Sequence, residues 1–331
     1  MTEILAPLRA FVAALRMEGS VLRLDGKMAG VAAGAEAAKL ADALTLCVYE
    51  HAYTKAYPPA DAAPPGEERD LTQAIAGANT TRPRSETGWS VAESWADGSV
   101  VATRHGRTRR FGAGQFMPMN GVFPVVAGTA LAVQLPAGSA TRQPGFYYCF
   151  GEGFRDVHDQ SPLVRLYWNL MAPGTEAFTA ILTGALNRYE IPFELKVATH
   201  SAFSARRDNA VLYLARDVFP AAALALHAVL PALAGTLAPD VPLFTKALAP
   251  GVGFAEDPGG SNESFGSARS RLVATALAAS RTDDGFSWDE FTRQFAEAVG
   301  AARLDMDALW LNPGSKDIYR FTQPSPRKAA A

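Results

Sequence analysis

Several short segments carry the residue types with which a protein handles an anion. In LVRLYWNL (163–170), strand alternation puts Arg165, Tyr167 and Asn169 on one face and Leu166, Trp168 and Leu170 on the other. In PFELKVAT (192–199), Phe193, Leu195 and Val197 share the apolar face, so Lys196 leaves the strand on the other side with Glu194. The next turn supplies Arg206, Arg207 and Asp208 before a strand that carries Tyr213. Further on come Lys246, a Gly/Pro/Ser-rich loop from Pro250 to Gly266, and Arg269 and Arg271 at the start of a helix. Such a loop offers backbone N–H groups, and a helix N-terminus favours negative charge. Anion binding is the chemistry these types suggest. For proton transfer, His105, His158 and His200 fall in loops or at strand ends, and His200 is the best placed because it follows Lys196 closely.

Other chemistries lack their signatures. The five histidines show no metal-ligand spacing and there is no HExxH, so no metal site is expected. Neither GxxxxGK[ST], GxGxxG after a strand, nor a GxSxG elbow occurs, which argues against a P-loop, a dinucleotide fold and an ordinary serine hydrolase. Cys47 and Cys149 are too few for a disulfide framework and read as buried small hydrophobes in a reducing compartment.

These side chains need a scaffold, and 331 residues with 48% hydrophobic and 19% charged content suffice for one large or two ordinary globular domains. Net charge is −2, from 31 Lys+Arg against 33 Asp+Glu, so no chain-wide positive field exists to hold nucleic acid or an anionic bilayer. Any anion site must be local. The N-terminal stretch lacks the layout of a secretory signal, and Phe219–Leu237 is interrupted by His227, Pro231 and Gly235, so no transmembrane segment and a cytoplasmic location are expected.

The first ~57 residues read as helical, over 2–17 and 31–57. A proline-rich linker follows from Pro58, with a short helix near Leu71–Ala78. From Trp89, alternating runs around Asp97-Gly98 predict a hairpin, and strands are expected at 128–136, 143–151, 163–170, 192–199 and 209–217. Helices are expected at 174–190, 219–238, 267–279 and 288–299. The fold class is α+β: a helical N-terminal region over 1–85, then a mixed or antiparallel sheet flanked by helices over 86–325.

In this order, GFYYCFG, LVRLYWNL, IPFELKV with RRDNAVLYL, FTKALAPGVGFAEDPGGSNESFG and LWLNPGS resemble the HopA-type effector family over roughly Gly145 to Ser315. Some members resemble the lyase component of class V lanthipeptide and thioamitide dehydration systems, and the alanine-rich composition suits that setting. The resemblance implies a phosphothreonine-lyase-like fold and β-elimination of phosphate from a phosphorylated Ser or Thr of a precursor peptide, giving dehydroalanine or dehydrobutyrine without a cofactor. It also implies a separate kinase, in complex with this chain, as a partner. The order of key residues is similar to that of phosphothreonine lyase effectors: Arg165 and Tyr167, then Lys196, Arg206 or Arg207, Tyr213 and Arg269. Those lyases carry a histidine acid where the first strand here offers Tyr167.

The same residue types make chemical sense for this reaction. Lysine removes a proton only when neutral, and nearby cations such as Arg165, Arg206 and Arg207 disfavour its ammonium form. Guanidinium groups hold phosphate oxygens and stabilise charge on the leaving group. Tyr167 and His200 are both candidate acids, and Lys246 joins the phosphate-binding set. Two other readings use the same residues: a non-catalytic peptide- or protein-binding module, and a metal-free phosphatase or phosphotransferase.

Overall fold

The computed structural model describes residues 2–32, 37–59, 68–259, 263–283 and 285–321. The core of the proline-rich linker, residues 260–262 of the glycine-rich loop and the Ala-Ala-Ala tail lie outside them. Helix α1 (Thr2–Ala14) buries Leu8, Phe11 and Val12 at helical spacing. Residues 15–31 then depart from the helical expectation. Strands β1 (Leu15–Glu18), β2 (Val21–Leu24) and β3 (Lys27–Val31) form an antiparallel three-stranded sheet. The cause is turn chemistry: Asp25 and Gly26 adopt φ of 50° and 74°, the pair of left-handed residues that an Asp-Gly hairpin turn supplies. Helix α2 (Ala37–Val48) follows and runs on into a π-helical turn, Tyr49–Tyr53.

After α3 (Thr72–Ala78), five strands build a second sheet in the order β6-β5-β4-β8-β7: β4 (Arg84–Ser94), β5 (Val100–Arg104), β6 (Arg107–Phe111), β7 (Phe116–Pro118) and β8 (Ala130–Leu135). The expected hairpin at Asp97-Gly98 is β4–β5, with Gly98 at φ 77°. This sheet has its own small core, in which Trp89 meets Phe111 edge-on at 5.0 Å.

The central sheet has seven antiparallel strands in the order β14-β15-β11-β13-β12-β10-β9. They are β9 (Gly138–Gln143), β10 (Phe146–Phe150), β11 (Leu163–Trp168), β12 (Glu194–Ala198), β13 (Ala210–Ala215), β14 (Lys246–Ala249) and β15 (Val252–Glu256). The β14–β15 hairpin occupies the start of the stretch expected to be a glycine-rich loop. Helices α4 (Thr175–Asn187) and α5 (Phe219–Leu233) cover one face, burying Leu166, Trp168, Leu195, Val197, Leu212 and Phe254. By length and composition the helical stretch Arg216–Thr236 would suffice to cross a membrane, but here Phe219, Ala222, Leu226 and Leu233 pack into this core. The chain thus combines helices with antiparallel sheets, the α+β class its pattern predicts.

The opposite face is shared. Helices α6 (Phe265–Ala279) and α7 (Trp288–Ala301), α1, α2 and the Tyr49–Tyr53 turn form one core with Tyr167, Val211 and Ala255 of the central sheet. The N-terminal helices therefore share their core with α6 and α7. The close approach of α6 to the tyrosine turn depends on Gly266. A Cβ there would lie 2.3 Å from Tyr53 Cε1 and 2.8 Å from Tyr49 Cε2. Gly266→Ala is expected to destabilise by about 1–3 kcal/mol through overpacking, despite a helix-propensity gain of about 1 kcal/mol. Gly77→Ala in α3, where a Cβ meets nothing within 4 Å, should be neutral or stabilising. Denaturant unfolding of the two variants measures the difference.

Candidate active site

Antiparallel register aligns side chains across strands, and one such row reads Tyr148, Lys196, Val211, Tyr167 and Gly253. The adjacent row on the same face reads Phe150, Glu194, Tyr213, Arg165 and Ala255. Lys196 and Tyr167 lie on strands β12 and β11 with one strand between them, so their backbones stand about 9–10 Å apart. Thus Arg165, Tyr167, Lys196 and Tyr213 converge on one face, as strand alternation indicated.

Lys196 is half-buried, with its Nζ 3.8 Å from the centre of the Phe146 ring. Burial pushes its ammonium down to about 8; Asp208 pulls the other way, while Arg206 and Arg165 add to the lowering. Arg206 is fixed by Asp208, its Nε and Nη2 donating to the two carboxylate oxygens at 2.9 Å, and donates to the Tyr49 hydroxyl at 3.1 Å. Arg165 donates to Asp257 Oδ2 from Nε at 2.7 Å and lies over the Tyr213 ring at 5.3 Å. Burial opposes its charge, but Tyr167, Tyr213 and Asp257 outweigh burial and hold the guanidinium cationic.

Arg269 approaches from α6. It is 5% exposed, and it donates to the carbonyls of Leu309 (2.7 Å) and Leu311 (3.0 Å). Among the described residues it has no carboxylate partner, and burial lowers it to about 10 against the pull of Tyr167, Tyr53 and Glu256. Among the described residues the buried Tyr53 and Tyr167 hydroxyls make no well-formed hydrogen bond, lying near one another with Arg165 beside Tyr167, and burial raises both phenols, so they stay protonated donors at neutral pH. Buried donors without acceptors beside a guanidinium without a counter-ion are what an anion would satisfy. Tyr49 and Tyr53 reach this place because the π-turn at the end of α2 lays both rings over the sheet, stacked at 5.4 Å.

Next to this cluster a cavity of about 940 Å³ opens between the central sheet and the five-stranded sheet. Tyr148, Glu194, Tyr213 and Arg165 line it, so it reaches the edge of the Lys196 row at Tyr148, the cross-strand partner of Lys196. Among the described residues no group of three His, Cys, Asp or Glu is placed to hold a metal ion.

Three expected residues lie elsewhere. Lys246 pairs in register with Phe254, whose side chain belongs to the α4/α5 face, and its Nζ donates to Asp317 (2.7 Å) and to the Tyr319 carbonyl (2.6 Å). Arg207 turns to Asp240 at 3.2 Å. His200 follows the end of β12, bonded through Nδ1 to Thr199 Oγ1 at 3.0 Å. It meets Lys196 only through the Phe203 and Phe146 rings. Conversely, Tyr49, Tyr53, Phe146 and Asp257 were not legible as site residues. Tyr49 and Tyr53 recur at i, i+4 in a helical run, which reads as core; Tyr49 is marked out by contacts across more than 150 residues, to Asp208 at 3.4 Å and from Arg206 at 3.1 Å.

No curated protein matches the chain. Two solved structures are similar to part of it. The effector protein from Pseudomonas syringae pv. tomato strain DC3000 is 22% identical over 53% of this chain and 66% of that one, with a TM-score of 0.40. The effector protein from Pseudomonas syringae pv. syringae strain 61 is 18% identical over 51% and 63%, also with a TM-score of 0.40. The chain thus spans just under two thirds of either effector structure. The HopA1 effector protein family model matches residues 137–310, which hold the whole seven-stranded sheet with α4 to α7 and more than half of the 331 residues, so this chain belongs to the HopA1 effector protein family.

Proposed function

We propose that this chain is a phosphoserine/phosphothreonine lyase, a carbon–oxygen lyase that eliminates phosphate from a kinase-phosphorylated ribosomal precursor peptide. The observation that carries the reading is Lys196: a half-buried lysine, lowered to about 8, in the same cross-strand row as Tyr167 and flanked by cations. A lysine so placed is neutral in a useful fraction near neutral pH, which a base for an unacidic Cα–H requires.

In this mechanism the phosphorylated residue enters through the 940 Å³ cavity, and its phosphate is held by arginine. Arg269 has no carboxylate of its own, and Arg165 keeps N–H donors beyond those given to Asp257. Lys196 Nζ takes the Cα proton, the freed electron pair forms the Cα=Cβ bond, and the Cβ–O bond breaks with its electrons leaving on phosphate. Arginine charge stabilises the departing dianion. Tyr167, a protonated phenol beside Arg165, is the acid that the leaving oxygen can use; Tyr53 and Phe265 cover it, so the Tyr49–Tyr53 turn must yield for it to act. Tyr213 packs against the Arg165 guanidinium, and the Arg206 charge helps keep Lys196 neutral. His200, Arg207 and Lys246 take no part in this scheme, since their side chains are engaged away from the row.

The products are dehydroalanine or dehydrobutyrine and inorganic phosphate, the dehydration step of lanthipeptide or thioamitide assembly. The partners are the precursor peptide, leader and core, and a separate kinase working with this chain in the cytoplasm. Mass spectrometry of a synthetic phosphothreonine peptide incubated with the protein under chelator tests the reading. A loss of about 98 Da, phosphoric acid, is expected, and Lys196→Ala should slow it by about 10²–10⁴-fold while leaving the fold intact by circular dichroism. A loss of about 80 Da would mean hydrolysis, and binding without any mass change would favour a non-catalytic peptide- or protein-binding module.

The pH dependence follows from the sign of the Lys196 shift. Below about 8 the lysine is protonated and cannot accept, so the single-turnover rate should fall about tenfold per pH unit and level off above 8. A rate that is flat from pH 6 to 9 in rapid-quench assays would remove Lys196 as the base.

A further inference from the structure

The wall of the cavity that faces the central sheet comes from β6, outside the region that defines the family. On this strand Arg107 and Arg109 share a face, and both lie over the Phe154 ring, at 4.0 and 5.2 Å. Arg107 donates to the Phe154 carbonyl. The Arg109 guanidinium also lies 5.6 Å from the Phe111 ring, yet it makes no hydrogen bond or ion pair among the described residues. Burial lowers its charge preference and Arg84 adds to this, only partly offset by Glu86 and Glu194.

Three of the carboxylates that line the cavity are already paired with other arginines. Glu194 holds Arg142 at 2.8 Å, Asp257 holds Arg165, and Asp159 holds Arg155 at 2.8 Å. A half-buried guanidinium without a counter-ion is costly, and an arriving anion offsets that cost. Arg142 is taken by Glu194, which leaves Arg107 and Arg109, two residues apart on one face of β6 and so about 7 Å apart along the strand. That spacing suits successive carboxylates of an extended chain better than one tetrahedral phosphate.

We propose that this β6 wall binds an acidic stretch, Asp or Glu side chains, of the same peptide whose phosphorylated residue reaches Lys196. The inference rests on the lyase reading for where the peptide lies. Glu194, a central-sheet residue that lines the same cavity and acts electrostatically on Arg109, stands two strand residues from Lys196, about 7 Å, so the acidic residues fall roughly two to four positions from the phosphorylated one.

Fluorescence anisotropy with labelled phosphothreonine peptides tests this, one carrying Glu and one Gln at those flanking positions, on the full chain as Lys196→Ala with or without Arg109→Gln. The Glu peptide should bind about tenfold or more tighter than the Gln peptide. Arg109→Gln should erase that preference without weakening the Gln peptide, and Arg109→Lys, which keeps charge but not the planar fork, should retain part of it. Equal binding of the two peptides to the Arg109 protein, or an equal loss on both in Arg109→Gln, overturns the inference. A Glu preference in binding without any elimination by wild type would instead overturn the lyase reading and leave this site standing.

Discussion

The register between β11, β13 and β12 governs everything placed on this face, because side chains on a strand alternate with a period of two. A slip of one residue in β12 would send Lys196 into the α4/α5 core and Leu195 and Val197 out of it. The buried face prevents this: Leu166, Leu195, Leu212 and Phe254 are all 0% exposed, and each such side chain contributes about 1.5–3 kcal/mol of burial. Hydrophobic packing on one side of the sheet thus locates the polar chemistry on the other. The lysine row is held by residues it never touches.

Electrostatics then divides the cations into two groups. Arg206 and Arg165 are matched by Asp208 and Asp257, and so are fixed in place at little cost. Lys196 and Arg269 have no such partner within ion-pair distance among the described residues, and for both, burial lowers the preference for charge. A paired arginine stays charged and exerts a field, whereas an unpaired lysine can give up its proton. Asp208 serves both groups, since it anchors Arg206 and moderates the fall of Lys196.

Membership of the HopA1 effector protein family rests on the segment holding the seven-stranded sheet. The elements outside it close that sheet from two sides: the Tyr49–Tyr53 turn over Tyr167, and the five-stranded sheet across the cavity. The central sheet supplies the row of candidate side chains, and these additions border it. Gly266 makes this arrangement sterically possible, since a Cβ there would collide with both tyrosine rings.

Much was readable from local pattern. Strong alternation in LVRLYWNL and PFELKVAT placed Arg165, Tyr167 and Lys196 on polar faces, and helical periodicity located α4, α5, α6 and α7, because these signals depend only on neighbouring residues. The β1–β3 sheet was missed where an Asp-Gly turn outweighed an alanine- and leucine-rich context, and β14–β15 where glycines masked a hairpin. Local pattern could say that Lys246, Arg207 and His200 are polar residues near the right segments. Only strand order could place Lys246 on the far face and turn Arg207 and His200 to other partners. It likewise took tertiary structure to bring Tyr49, Tyr53 and Arg269 to Tyr167, and Arg109 to the cavity. The physical reason is separation: face and period are set by adjacent backbone dihedrals, whereas the field around Lys196 sums the charges of Arg165, Arg206 and Asp208, which sit on separate elements that only strand pairing brings together.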